Sequence, residues 1–408
     1  MEKLALFGGE PVKRTPFAPW PRYDDHERQA LFDVLESRIW WRTPGTQTAR
    51  FEEEFAAYQQ AKYGVAVTNG TAALEIAMAA LGIGPGDEVI VPDFTFIATA
   101  SAVLFTGALP VLVDVTPDTY CIDPEQVEAA ITPRTKAVIP VHMGGHPADL
   151  DALTEIAHKH NLRLVEDSSH AHSSTWRGQR VGALGDIGTF SFQQSKLMTA
   201  GEGGIILTND AELEKLARSI HDCGRMPGEW FYAHFIYGSN YRLSEWQGAV
   251  LRAQLQRADE LNSIRQRSAA LLDRELPKIE GITPQALDPR VTCNGHYAYI
   301  FHIDLKAFSG ASVDKFIQAF NAEGFPDQAS YPPLHELAVF KSGEYRKRLQ
   351  GEQARDKHAF LNAAFPNTAR AASETVWIPQ PALLGSEEEM TQLVEAIRKI
   401  QRHSRELA

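Results

Sequence analysis

The sequence predicts an α/β protein: a large domain over residues 1–255, built on a mostly parallel sheet flanked by helices, and a small α+β domain over 256–408. Three observations carry this reading. The 408 residues exceed what one hydrophobic core usually serves. Between about 60 and 210, short apolar runs alternate with helical stretches, the mark of a layered α/β domain. A long helical stretch then leads into a part where one strand pattern alternates and helices dominate.

In order along the chain, residues 24–38 and 50–62 place apolar side chains at helical spacing, among them Phe51 and Phe55. Seven runs read as strands: 64–68, 88–91, 110–115, 137–141, 162–166, 187–192 and 204–207. Several lack polar alternation, which suits strands covered on both faces. Helices are expected between them, at 72–81 and 149–160. The stretch 244–276 reads as one long helix joining the domains. After it, His296–Ile303 alternates like an antiparallel strand. Helix, strand and helix follow at 312–323, 375–378 and 386–401.

Composition narrows the function. Net charge is −12, with Lys and Arg spread along the chain. Nucleic-acid binding usually leaves a basic footprint, so it is disfavoured, and an anionic membrane surface with it. Three cysteines, Cys121, Cys223 and Cys293, form neither a disulfide framework nor a metal-ligand spacing. No signal peptide is read at the start, and no apolar run approaches the ~20 residues of a membrane helix. The expected location is cytoplasmic.

Ligands of open α/β sheets sit at the carboxyl ends of strands, and four candidates fall there. Lys196 follows the strand 187–192 in Ser-Phe-Gln-Gln-Ser-Lys-Leu-Met-Thr-Ala-Gly-Glu-Gly-Gly. Its amine can condense with an aldehyde cofactor, although alone it reads as a solvated loop lysine. Asp167 ends the strand 162–166. A carboxylate there would keep a pyridine nitrogen protonated; its plain alternative is a helix cap. Gly70, Thr71 and Ala72 open a helix after a strand, where free N–H groups can hold phosphate. Phe96 can stack on a flat heterocycle or simply pack in the core. His170 and His172 are two apart with no third ligand, so a metal site is not read. No phosphate-binding P-loop, dinucleotide glycine fingerprint or serine elbow is present.

The ordered motifs Asn69-Gly-Thr71, Thr95-Phe96, Glu166-Asp-Ser-Ser-His-Ala-His172, the lysine run above and Gly238-Ser-Asn-Tyr-Arg242 resemble one family over residues 20–400. This is the DegT/StrS-like group of sugar and cyclitol aminotransferases, which have the type I fold of pyridoxal-5′-phosphate (PLP) transferases. The resemblance implies that Lys196 is the Schiff-base lysine, Asp167 the pyridinium partner and Phe96 the stacking ring. It gives Gly70, Thr71 and Ser191 to the phosphate and puts His170 beside the ring. It implies that Asn240 reaches the phosphate of a neighbouring subunit, in a homodimer with a shared active site. An amino donor, glutamine or glutamate, and a keto acceptor would be the small-molecule partners. Trp41, Arg42, Tyr331 and His335 are candidates for the substrate pocket, with Arg42 placed to grip the donor carboxylate by a forked contact.

Two subgroups share the signal. Leu4–Val12, Tyr120–Asp123 and Tyr331–His335 are similar to scyllo-inosose-type aminotransferases. Trp20–Asp25, Trp40–Arg42, Asp167–His172 and Cys223–Arg225 are similar to 3-amino-5-hydroxybenzoate synthase, an aromatising relative. The sequence favours transamination of a keto-cyclitol or keto-sugar. A PLP-binding regulator is the non-enzymatic alternative.

Overall fold

The structure is a computed structural model, and it describes residues 3–226, 228–327, 329–349 and 364–407. Seven strands form the central sheet: β1 Tyr63–Val67, β2 Glu88–Pro92, β3 Leu109–Val113, β4 Thr135–Val138, β5 Arg163–Asp167, β6 Ile187–Ser191 and β7 Gly204–Thr208. They fall where the seven apolar runs predict. Their spatial order is β1-β7-β6-β5-β4-β2-β3. All neighbouring pairs are parallel except those of β7, which runs against both β1 and β6. Strands β2, β6 and β7 are buried at every position, which explains why charged and apolar residues do not alternate along them.

Helix α1 (Asp25–Ser37) starts on a capping box, with Asp24 as N-cap and Glu27 reaching back. Helix α2 (Gln47–Tyr58) buries Phe51 and Phe55 against Phe190 and Phe192, the next layer of the core. Helix α3 (Gly70–Ala80) follows β1, with Asn69 as its cap. Helix α4 (Ala98–Phe105) follows β2.

The predicted long helix is two helices, α5 (Glu245–Leu255) and α6 (Ala258–Glu275). No glycine or proline marks the break. It coincides with a tertiary anchor, where Gln254 and Arg257 both donate to the Glu27 carboxylate. Helix α5 packs on α1 and α2, whereas α6 lies in the C-terminal core. We propose the junction between domains at this break.

The C-terminal unit carries an antiparallel sheet of Ile282–Pro284, Ala298–Ile303 and Thr375–Pro379. The helices Val313–Ala322 and Glu387–Arg402 cover it. The sequence reading groups the N-terminal segment with the large domain, but residues 4–17 dock on the C-terminal unit instead. Leu4 is fully buried there, with Val12 and Phe17 packed beside it. Glu323 accepts from the backbone N–H groups of Ala5 and Val12, and Lys13 pairs with Glu389.

Candidate active site

Adjacent strands bring the two chief candidates together. Asp167 is the last residue of β5 and pairs in register with Thr189 of β6. Lys196 lies five residues past the end of β6. Both line one cavity of about 840 Å³ at the carboxyl end of the sheet, together with Gly70, Thr71, Ala72, Phe96, His170, Ser191 and Tyr331. The cavity therefore gathers every cofactor candidate except Asn240.

The phosphate end is built by backbone. Asn69 Oδ1 accepts from Ala72 N–H at 2.8 Å, so Ala72 is already capped and the N–H groups of Gly70 and Thr71 are the donors left at the helix start. A Cβ on Gly70 would lie 2.8 Å from Ser191 Cβ. Glycine thus lets the start of α3 close onto the Ser191 hydroxyl. Gly204 of β7 does the same from the other side, where a Cβ would lie 2.4 Å from Asn69 O.

Asp167 is buried, yet both carboxylate oxygens have donors. Thr99 Oγ1 donates to Oδ2 at 2.9 Å, and Ser169 N–H to Oδ1 at 3.2 Å. Charge-assisted bonds of this kind hold a buried carboxylate in place. Lys196 Nζ lies 4.4 Å from the centroid of the Tyr297 ring, in cation–π range. Ser195 Oγ and Tyr297 OH are 3.1 Å apart.

His170 packs flat on Tyr297, with ring centroids 4.0 Å apart and 14° between planes. Its Nε2 meets Tyr331 OH at 3.1 Å. Its Nδ1 is buried with no partner among the described residues. Burial, then the nearby Lys196 charge, holds the His170 pKa well below its usual value, so the ring is neutral. Burial also pushes the Tyr331 hydroxyl well above its usual pKa. Phe96 is half-exposed at the mouth, 6.1 Å from Tyr331.

Four sequence candidates lie elsewhere. The Arg42 fork is held by the buried Glu52 carboxylate, at 2.5 and 2.8 Å, and Arg42 is not on the cavity lining. Glu52 also takes Arg218 and the N–H of Ala66. His335 Nδ1 binds buried Asp93 at 2.6 Å and fixes the Leu334–Glu336 turn. Trp41 is exposed, with its edge on Phe231. Asn240 is exposed, outside the cavity, and bridges to Asp222.

Sequence reasoning missed Thr99 and Tyr297. A hint existed for Thr99, since Thr95 and Thr99 are four apart at the start of a helix and their hydroxyls meet at 3.1 Å. Tyr297 had none beyond its place in an alternating strand. Among the described residues no group of three or more potential metal ligands occurs, and no helix is long and apolar enough to cross a membrane.

A lysine and an aspartate at neighbouring strand ends, facing a helix N-terminus across one cavity, define a PLP-dependent transferase of fold type I. The cavity fits that group. It offers a cradle of backbone donors, a held carboxylate, an amine, and an unpaired buried nitrogen on His170. The chain belongs to the DegT/DnrJ/EryC1/StrS aminotransferase family, whose model matches residues 21–398. It is a PLP-dependent aminotransferase.

The chain is 43% identical over 389 residues to 3-amino-5-hydroxybenzoate synthase of Amycolatopsis mediterranei, covering 94% of this chain and 97% of that one. It is 39% identical over 419 residues to L-glutamine:2-deoxy-scyllo-inosose aminotransferase of Streptoalloteichus tenebrarius, covering 99% of each. The crystal structure of 3-amino-5-hydroxybenzoic acid synthase superposes with a TM-score of 0.87 at 41% identity, over 95% of this chain and 99% of that one.

Proposed function

We propose that this enzyme moves the amino group of L-glutamine onto the ketone of a cyclitol of the scyllo-inosose type, with Lys196 and Asp167 as its catalytic residues. The observation that carries this is the convergence of Lys196, Asp167 and the α3 start on one cavity. The relatives named for glutamine and 2-deoxy-scyllo-inosose support the substrate class. So does the charge of the cavity. Lys196 is the one lysine or arginine on its described lining, beside the acids Glu75 and Glu202. A neutral polyol suits that wall better than a sugar carrying a nucleotide diphosphate, which calls for arginine or lysine.

When bound, PLP supplies an electron sink that makes the proton on the amine-bearing carbon labile. The chain does the rest. Asp167, fixed by Thr99 and Ser169, holds positive charge at the ring nitrogen. Gly70, Thr71 and Ser191 take the phosphate, and Phe96 covers a ring face. Lys196 carries the proton between the two reacting carbons. Neutral His170 offers its free Nδ1, and Tyr331 faces the acceptor.

The active site is read as shared within a homodimer. Asn240 is exposed and lies off its own cavity, and the segment before it exposes Trp230, Phe231, Tyr232, Phe235 and Tyr237. An apolar patch of this kind marks an interaction surface. A cytoplasmic location accords with the three free cysteines.

The test uses purified protein, L-glutamine and 2-deoxy-scyllo-inosose. A yellow protein whose cofactor is fixed to Lys196 by borohydride, and which forms an aminocyclitol, is expected. A Lys196→Ala variant that transaminates at the parent rate would refute the proposal. The identity to 3-amino-5-hydroxybenzoate synthase favours one second reading, an aromatising reaction. An aromatic amine formed from a cyclic precursor, with no aminocyclitol, would select it.

A further inference from the structure

Arg265 of α6 is 2% exposed and has no carboxylate partner among the described residues. Burial brings its pKa down to about 9. A charge in that position is costly, and a methionine would fill the space without the cost. What the guanidinium does bind is Gln380, itself 1% exposed. Its Nε and Nη2 donate to Gln380 Oε1 at 3.0 and 2.5 Å.

That contact decides the orientation of an otherwise ambiguous amide. A guanidinium only donates, so the carbamoyl oxygen must face it and the –NH2 must face away. The –NH2 then points at the carbonyls of Ser195 and Lys196, 3.5 Å from each. Trp20 Nε1 donates to the preceding carbonyl, that of Gln194, at 2.8 Å. The Trp20 ring lies 5.6 Å from the Arg265 guanidinium. Three successive carbonyls of the lysine turn are therefore met by side chains from outside the sheet. Gln380 also ties in the aromatic floor, since its backbone N–H donates to Tyr297 O at 3.1 Å, and the Tyr297 ring lies under Lys196 Nζ.

We propose that Arg265 and Gln380 are positioning residues for Lys196. The buried guanidinium locks the Gln380 amide, and that amide, with Trp20, holds the turn that aims the lysine amine into the cavity. The inference rests on Lys196 being the cofactor-bearing lysine.

Gln380→Glu separates positioning from packing. It gives Arg265 the counter-ion it lacks and removes the –NH2 that meets the turn. The PLP-loaded protein is followed by visible circular dichroism per bound cofactor, by thermal melting, and by the single-turnover rate with L-glutamine. Gln380→Glu is expected to melt no lower than the parent, to lose part of the visible dichroism, and to slow the turnover about tenfold, as the carbonyls of Ser195 and Lys196 lose their side-chain donor. Arg265→Met, which leaves the Gln380 amide free to turn, should show the same two defects. A Gln380→Glu protein with parental dichroism and rate would overturn the proposal. A parent protein with no visible band, and no borohydride-fixed Lys196, would overturn the reading of Lys196 beneath it.

Discussion

The Thr99 hydroxyl offers the sharpest test of how Asp167 is held. Thr99→Val keeps the shape of the side chain and removes one donor from a buried carboxylate. A hydrogen bond to a charged group is worth ~1.5–3 kcal/mol. Ser169 N–H still serves the other oxygen, 3.2 Å away, so the lower end applies. About 1.5 kcal/mol corresponds to roughly a tenfold change. With the carboxylate less firmly placed, protonation at the ring nitrogen weakens and proton loss from the substrate slows. The assay is rapid mixing of PLP-loaded enzyme with L-glutamine, following the visible band. Thr99→Val should bind PLP and react about tenfold slower, while Thr99→Ser, which keeps the donor, should stay within about twofold. Thr99→Val at the parent rate with cofactor fully bound would show that the 2.9 Å contact does not support the carboxylate.

Further outcomes follow from the same geometry. Gly70→Ala should push the start of α3 off Ser191 and weaken PLP binding by about ten- to a hundredfold, the cost of ~1–3 kcal/mol of overpacking; equilibrium titration of apoprotein measures it. Arg42→Ala should cost about 3 kcal/mol of stability in urea, as breaking a mostly buried pair does, and leave the KM for glutamine unchanged. A raised KM with parental stability would return Arg42 to the substrate. Burial holds His146 and His221 down to about 4, and His172 and His296 to about 3, against an ordinary 6.5. In each case the unfolded chain takes up the proton first. Their contribution is therefore complete above pH 6.5 and is lost as pH falls toward 4. The urea midpoint should drop between pH 7 and pH 5; equal midpoints would contradict the buried neutral rings.

Strands β2, β6 and β7 were legible because both their faces are covered, which leaves a run that only burial explains. The residues that line the cavity were legible because most of them lie at or just past a strand end in the chain. Arg42 and His335 lie off the cavity lining for a common reason. Their residue types suit a substrate, but what decides their role is a carboxylate that folding brings beside them, Glu52 or Asp93. Pairings of this kind leave no periodic trace. The break between α5 and α6 was hidden likewise, since its anchor at Glu27 lies 230 residues from Arg257. Thr99 and Tyr297 act through short contacts that no motif spells out.

The docking of residues 4–17 has a bearing on biogenesis. Lys13 meets a residue 376 positions later, and Glu389 lies in the helix Glu387–Arg402. On the ribosome this leading segment can reach Glu323 first, but lacks its Glu389 partner until that helix has emerged. The same segment leads to Trp20, which holds the turn before Lys196. The segment that leads to the indole tether thus completes its own docking only when nearly the whole C-terminal unit has been made.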